Sequence, residues 1–225
     1  MARKNKSLSL STLLGMTLGA MFAIVLAGCV MFVVFGQQTS EEQPDAPDSI
    51  AGVTIHTDYI SKDAMARPGT NRAIHYIVIH ETDNTGAHAN AKSHNAYIHD
   101  NSWKEKKSWH YTVDDTEIWH HLPDNETAYH AGDNVRAEGG NRNGIGIELC
   151  VNEGGNFDHT MRNAAQLTAY LLIKYHLSLD AVKMHHDFSG KNCPRTIIEQ
   201  HKWNDFLNMV QGAYDAQCIQ QAQNQ

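Results

Sequence analysis

Two imidazoles, a carboxylate, two ammonium groups and a thiol occur together within residues 182–194, whose sequence is VKMHHDFSGKNCP. The Ser189-Gly190 pair favours a turn, which would fold the segment back so that His185 and Cys193 face one point. Imidazole nitrogen and thiolate sulfur are ligands of tetrahedral Zn²⁺, and a catalytic zinc site has three protein ligands and one open position. The segment therefore predicts two of the three ligands of such a site.

The third ligand must come from elsewhere in the chain, and His80 is the best candidate. It ends an apolar, strand-like stretch that begins at Ile74 and runs into polar, turn-forming residues. His185 likewise ends a short apolar stretch, and side chains at strand ends project into the crevice of an open sheet. Because the chain has 15 histidines, position must select the ligands, and a structural histidine is the alternative for each.

Two further charged side chains are candidates for catalysis. Glu148 lies among apolar residues in a predicted central strand, 145–151, where burying an unpaired carboxylate would be costly. A structural ion pair is one explanation; the other is a general base, which takes a proton from water and later delivers it to a leaving amine. Lys191 is either an exposed lysine or an ammonium beside the metal, because it precedes Cys193 by two positions.

Candidates for contact with a substrate are His130, in the segment 129–133, and Asn141 with Arg142, in a glycine- and asparagine-rich loop over 137–144. Three neighbouring side chains at 119–121, a tryptophan and two histidines, are expected in core packing or at a solvated edge. Only one of His185 and His186 can face a metal, because adjacent strand residues point to opposite faces.

The elements that must position these residues follow an α/β pattern. Strands are predicted over 74–82, 109–113, 117–122, 145–151 and 182–185, and a strand or loop within 50–70. Helices are predicted over 87–99, 161–176 and 194–210. Asp114 to Thr116 would form the turn of a hairpin. Thr160 is the expected N-cap of the second helix, and Thr196 with Glu199 a capping box in the third.

Composition predicts one folded domain over residues 51–212, followed by a polar tail over 213–225. The net charge of −7 argues against a nucleic-acid partner, which would require a basic face. The four cysteines, at 29, 150, 193 and 218, show no spacing that indicates a disulfide framework. Cys150 falls at an apolar strand position and is expected to be a small buried hydrophobe.

The N-terminal region predicts membrane attachment. Residues 1–12 contain three basic side chains, and residues 13–35 contain no charge, so that a helix there would span about 35 Å, enough to cross a bilayer. The basic flank predicts a cytoplasmic N-terminus, which places the remaining chain outside. A flexible linker follows over 36–50. A lipoprotein modified at Cys29, in the sequence Leu-Ala-Gly-Cys, and a cleaved secretory signal are the alternatives.

Five segments in sequence order resemble the zinc-dependent N-acetylmuramoyl-L-alanine amidases of the type 2 family, relatives of the peptidoglycan recognition proteins. They are Val78–Thr82, Ser108–Asp115, Ala128–Asp133, Ile145–Cys150 and His185–Pro194. The resemblance implies a mixed β-sheet flanked by helices, with Zn²⁺ held by His80, His185 and Cys193. It also implies that Glu148 is the general base and acid, and that Lys191 stabilises the oxyanion. Trp109 stands where some relatives have a catalytic tyrosine, which puts that role in doubt here.

The implied reaction is hydrolysis of the amide between N-acetylmuramic acid and the L-alanine of a peptidoglycan stem peptide, by a monomer. One alternative is a module that binds peptidoglycan without cutting it, although the presence of all three ligand positions disfavours this. Another is a zinc peptidase that cuts within the stem, although no His-Glu-x-x-His motif is present. A hydrolase with Cys193 as nucleophile and His185 as base is a third.

Overall fold

A computed structural model describes residues 45–223 of the chain. The predicted membrane span over 13–35, Cys29 and most of the linker over 36–50 lie outside the described residues. Within the described range, no helix combines the length and the apolar character needed to cross a membrane. The elements are β1 Ser49–Ile50, β2 Val53–Thr57, β3 Tyr76–Glu81, α1 Ala91–Asn101, β4 Tyr111–Val113, β5 Glu117–His120, α2 Gly140–Asn143, β6 Gly144–Leu149, α3 Phe157–Lys174, β7 Val182–Met184, α4 His186–Ser189, α5 Arg195–Glu199 and α6 Trp203–Gln223.

The seven strands form one mixed sheet in the order β1-β2-β5-β4-β6-β3-β7. Strands β4, β6, β3 and β7 are parallel neighbours, whereas β4 and β5 form the predicted antiparallel hairpin. Asp114 holds its turn, because its Oδ1 accepts hydrogen bonds from the backbone N–H groups of Thr116 and Glu117. The expected mixed sheet flanked by helices is confirmed.

Strand alternation divides the central sheet into two chemically different faces. Ile77, Ile79 and Ile147 are fully buried and pack with residues of α3 and α6 in the main hydrophobic core. The intervening positions point to the opposite face. There His80 of β3 and Glu148 of β6 are register partners. The apolar face therefore stabilises the sheet, and the other face carries the candidate chemistry.

Helix boundaries differ from the sequence predictions where side chains cap them. The helix predicted over 87–99 begins at Ala91, after Asn90, whose side chain accepts a hydrogen bond from the Ser93 N–H. Helix α3 begins at Phe157, so the prediction of Thr160 as its N-cap is wrong. Asn156 caps it instead, because its side chain reaches the third N–H of the helix, the geometry that favours asparagine at this position.

The predicted closing helix over 194–210 is two helices, α5 and α6, and the predicted capping box of Thr196 and Glu199 is wrong. The carboxylate of Glu81, at the end of β3, accepts hydrogen bonds from the Thr196 and Ile197 N–H groups at 2.9 and 3.1 Å. An anion stabilises a helix N-terminus, and this one arrives from a distant strand. Helix α6 extends to Gln223, through most of the segment expected to be a tail.

The folded domain begins before residue 51, the predicted boundary. Ser49 and Ile50 form β1, and Asp45 accepts hydrogen bonds from the Tyr59 hydroxyl at 2.9 Å and the Asp124 N–H at 2.8 Å. Although burial opposes its ionisation, His120 and Lys174 hold the pKa of the Asp124 carboxyl well below its ordinary value. The last part of the predicted linker is thus tied into a buried polar cluster.

Candidate functional site

Three predicted ligand residues converge at the carboxyl ends of parallel strands. His80 lies in β3, His185 directly follows β7, and the loop after α4 brings Cys193 to the same point; all three are buried. The Nδ1 atoms of His80 and His185 are 3.0 Å apart, and Cys193 Sγ is 4.0 Å from His80 Nδ1. Such a group, whose ligand atoms all lie within 4.8 Å of one another, could hold a metal ion.

The donor set and its spacing suit a small tetrahedral ion. In a tetrahedron, Zn–N bonds of about 2.0 Å and a Zn–S bond of about 2.3 Å require N–N and N–S separations of about 3.3 and about 3.5 Å. The observed separations of 3.0 and 4.0 Å differ from these by about half an ångström or less. Two imidazoles and one thiol also leave one position of a tetrahedron without a protein ligand, as a catalytic site requires.

His130 lies directly behind His80 and determines which nitrogen of that ring is available. His130 Nε2 is 3.2 Å from the Gly144 carbonyl oxygen, to which it can only donate, so its Nδ1 is an acceptor. That Nδ1 lies 2.9 Å from His80 Nε2, which must therefore carry a proton. The lone pair of His80 is consequently at Nδ1, facing His185 and Cys193, as a metal ligand requires.

Burial keeps the imidazoles of the two candidate ligands neutral. Loss of hydration lowers the pKa of His80 well below its ordinary value, and lowers that of His185 to about 4, with Lys191 acting in the same direction. Burial raises the pKa of the Cys193 thiol to about 12. The thiolate form of Cys193 therefore requires a nearby cation, and a coordinated metal ion supplies one.

Glu148 is adjacent to His80 on the site face of the sheet. Its Oε2 is buried and has no hydrogen-bond partner among the described residues. Burial raises the pKa of the Glu148 carboxyl to about 8, against the opposing charges of Lys191 and Lys107. A buried carboxyl that forms no ion pair among residues 45–223 is a candidate for exchanging a proton with a group held at the site.

The other predicted residues have different positions. Lys191 is exposed and lies two positions before Cys193. Its positive charge lowers the pKa of Glu148 and that of His80. Asn141 is buried, and its Oδ1 accepts hydrogen bonds from the His130 and Ala131 N–H groups, both at 2.6 Å. It therefore braces the backbone that carries His130. Arg142 is exposed on α2.

Two cavities flank the site. The first, named the Glu148 cavity, has a volume of about 250 Å³ and is lined by Thr82, Asn84, Ser93, His94, Tyr97, Lys107, Trp109 and Glu148. The second, named the His185 cavity, has about 490 Å³ and is lined by Lys106, Tyr129, His130, Gly132, Asn134, Val135, Asn141 and His185. Sequence reasoning missed Lys107 and Tyr97. Their sole signal was a cluster of lysines and aromatic residues over 97–109.

The neighbouring aromatic and histidine positions pack as expected. His120 and His121 are fully buried, and Trp119 stacks on His56, with ring centroids 4.7 Å apart. Cys150 is also buried, which confirms the interpretation as a small hydrophobe. Asp45, His120 and Asp124 form a second group of possible ligand atoms. Tyrosine hydroxyls and Lys174 already engage both of its carboxylates, so it forms a charge-paired cluster.

The mixed sheet and the buried His-His-Cys group define an α/β protein with a candidate metal centre. The sequence matches the Amidase_2 family, described as N-acetylmuramoyl-L-alanine amidase, over residues 70–196, which is more than half of the chain. It is 41% identical over 158 residues to the N-acetylmuramoyl-L-alanine amidase CwlH of Bacillus subtilis (strain 168), covering 70% of this chain and 61% of CwlH. The chain therefore belongs to the Amidase_2 family.

Other relatives agree in sequence and in fold. The N-acetylmuramoyl-L-alanine amidase XlyA of the same organism is 42% identical over 160 residues, covering 71% of this chain and 52% of XlyA. The solved catalytic domain of XlyA superposes with a TM-score of 0.66 at 41% identity, over 70% of this chain and 99% of that domain. The structure of PlyL gives 0.64 at 25% identity, over 70% and 97%. This chain thus spans about half to three-fifths of the full length of the curated relatives.

Proposed function

We propose that this protein is a zinc-dependent N-acetylmuramoyl-L-alanine amidase, which hydrolyses the amide between N-acetylmuramic acid and the L-alanine of the peptidoglycan stem. The observation that carries the proposal is the convergence of His80, His185 and Cys193 beside the unpaired carboxyl of Glu148. Membership of the amidase family and the names of the curated relatives support the choice of bond.

His80 Nδ1, His185 Nδ1 and Cys193 Sγ are the atoms that would hold Zn²⁺. Bound there, the ion would act as a Lewis acid, which polarises a carbonyl group and lowers the pKa of a water molecule. His130 keeps His80 in the tautomer that this binding requires, through the contact at 2.9 Å. The backbone of Ala131 forms a hydrogen bond with His185. Each of the two imidazoles is thus oriented by a hydrogen bond on the side away from the metal position.

Glu148 and Lys191 would carry the proton and the charge. Glu148 accepts a proton from the attacking water and returns it to the nitrogen of L-alanine when the C–N bond breaks. The ammonium of Lys191 stabilises the negative charge that develops on the carbonyl oxygen. Trp109 has no hydroxyl, and its Nε1 already donates to Thr112 Oγ1 at 2.7 Å. Proton transfer therefore rests on Glu148.

We infer that the protein acts as a monomer outside the cytoplasmic membrane. The predicted anchor over 13–35, with its basic flank, supports this topology, because it exports the domain toward peptidoglycan. Fractionation of cells that express the full chain, with and without alkaline carbonate extraction, tests it. Recovery of the full-length chain in the cytoplasmic fraction would contradict this location.

The test of the activity combines metal content with the identity of the cut bond. Purified full-length protein should contain one Zn²⁺ per chain and should release new L-alanine amino termini from peptidoglycan while the sugars stay intact. Cys193→Ser should lose zinc and activity together. Glu148→Gln should keep zinc and lose activity by about a hundredfold or more. New amino termini on other residues would show a peptidase, and retention of fragments without cleavage would show a binding module.

A further inference from the structure

The two cavities have no lining residue in common and border different groups of the site. Glu148 lines the smaller cavity, whereas His185 and His130 line the larger one. A substrate amide held at the site would therefore extend in both directions, with its acyl group toward one cavity and its amine toward the other. The two halves of the proposed substrate are a sugar and a peptide. The orientation of the bound amide therefore determines which cavity contacts the sugar and which contacts the peptide.

The proton donor fixes this direction. In the proposed function, Glu148 returns a proton to the leaving amine, so the nitrogen of L-alanine must lie within hydrogen-bonding distance of Glu148. The peptide that continues from L-alanine then extends into the Glu148 cavity. The acyl group, with its sugar, extends toward the His185 cavity.

The Glu148 cavity has one cationic side chain, Lys107. Burial lowers the pKa of His94, which leaves that imidazole neutral, and the remaining lining groups are hydroxyl, amide, aromatic and carboxyl. The Lys107 ammonium lies 5.3 Å from the centre of the Tyr97 ring. No ion pair joins Lys107 to a carboxylate within residues 45–223. An unpaired ammonium over an aromatic wall, in a chain of net charge −7, suits an anionic ligand.

We propose that, in stems whose second residue is joined to the third through its side-chain carboxyl, Lys107 binds the α-carboxylate of that second residue. It would thus select stems in which this carboxylate is free over stems in which it is amidated. The proposal rests on the amidase function and adds a specificity-determining residue to it. Lys107 lies in the loop after α1, outside the His-His-Cys group. Because its charge also lowers the pKa of the Glu148 carboxyl, the preference between the two stems, and not kcat itself, is the readout of its role in binding.

The test uses two muropeptides that differ only in a free or an amidated α-carboxyl on the second stem residue. The full-length zinc-bound protein should hydrolyse the free acid with a KM about tenfold lower, the effect of a charge-assisted contact, and with similar kcat. Lys107→Met should abolish this preference, and Lys107→Arg should retain it. Lys104→Met is the matched control, because Lys104 is an exposed lysine of the same loop that lines neither cavity.

Calorimetric binding of the two released peptides separates this proposal from the amidase function, because it needs no turnover. A preference for the free-acid peptide that disappears in Lys107→Met would support the role of Lys107 even if no amide is cut. Equal KM and equal affinity for acid and amide, or an unchanged preference in Lys107→Met, would overturn it. Cleavage without a charge preference would leave the amidase function standing and remove the proposal on Lys107.

Discussion

At the scale of single residues, the contacts of His130 differ from those that its sequence motif predicted. The sequence indicated a substrate contact, and the side chain does line the His185 cavity. Its Nδ1, however, is hydrogen-bonded to His80 Nε2, and its Nε2 is hydrogen-bonded to the Gly144 carbonyl oxygen. A ring with both nitrogens engaged has no donor or acceptor left for a substrate. This favours a positioning role, in which His130 orients a metal ligand.

Replacement of His130 by alanine is expected to weaken zinc affinity by about 10- to 100-fold, because His80 loses the partner that fixes its tautomer. The measurement is a competition titration with a zinc chelator, followed by kinetics at saturating zinc, where KM should be close to that of the unmodified protein. His159→Ala, at an exposed position in the first turn of α3, is the control. Unchanged zinc affinity with a raised KM would instead assign His130 to the substrate.

At the scale of elements, β6 places the carboxyl of Glu148 beside His80 and leaves room for the ring of His130. Its Gly146 lies against the His130 ring, and a Cβ atom there would be 2.8 Å from His130 Cγ. A glycine inside a strand often marks such a close approach. In the sequence GIGIEL, Gly146 is therefore explained by the His130 side chain from a distant loop, and Gly144 by Val78 of β3, whose Cγ2 would lie 2.6 Å from an added Cβ.

Gly146→Ala is expected to destabilise the fold by about 1–3 kcal/mol, because the added methyl overpacks a buried site that includes His130. It should lower zinc affinity as well, since His130 supports His80. Gly212→Ala is the matched control: nothing lies within 4 Å of its added Cβ, and the position is inside α6, where alanine is favoured over glycine. Urea unfolding of both variants measures the change in the free energy of unfolding that each substitution causes. Equal stability of the two would contradict the packing argument.

At the scale of the whole molecule, the buried imidazoles make the fold sensitive to acid. Burial lowers the pKa of His130 to about 3 and that of His185 to about 4, and lowers those of His80, His110 and His121 well below the ordinary value. In the unfolded chain, each imidazole takes up a proton near pH 6.5. Below that pH, these five imidazoles therefore bind more protons in the unfolded state than in the folded state. The raised pKa of Glu148 acts in the opposite direction and offsets one of them.

The free energy of unfolding of the metal-free protein is accordingly expected to fall as the pH decreases from about 6.5 toward about 4. Above pH 7, the contribution of these histidines to that free energy should be nearly constant. Denaturant unfolding at half-unit intervals between pH 8 and pH 5 measures the slope. His130→Gln should reduce it, because one proton-binding difference is removed. A stability that does not change between pH 7 and pH 5 would contradict this account.

Much of the architecture and of the candidate site was predictable from local sequence. Apolar alternation predicted the strands that carry His80 and Glu148, and the pattern around Val182 predicted β7. Because strand ends meet at one edge of a parallel sheet, His80 and His185 could be predicted as candidate ligands before the fold was known. The order of five motifs added the family, which the comparison with the Amidase_2 family confirms.

Tertiary structure decided what depends on contacts between distant parts of the chain. Local propensity favoured Thr196 and Glu199 as a capping pair, yet Glu81 caps α5 because β3 delivers a carboxylate to that helix end. The pairing of His130 with His80 joins residues 50 positions apart, and no periodicity records such a contact. Sequence alone thus determined which residues could do chemistry, since residue type and local pattern are enough for that. Only the packed sheet decided their partners, because those distances are fixed by the fold.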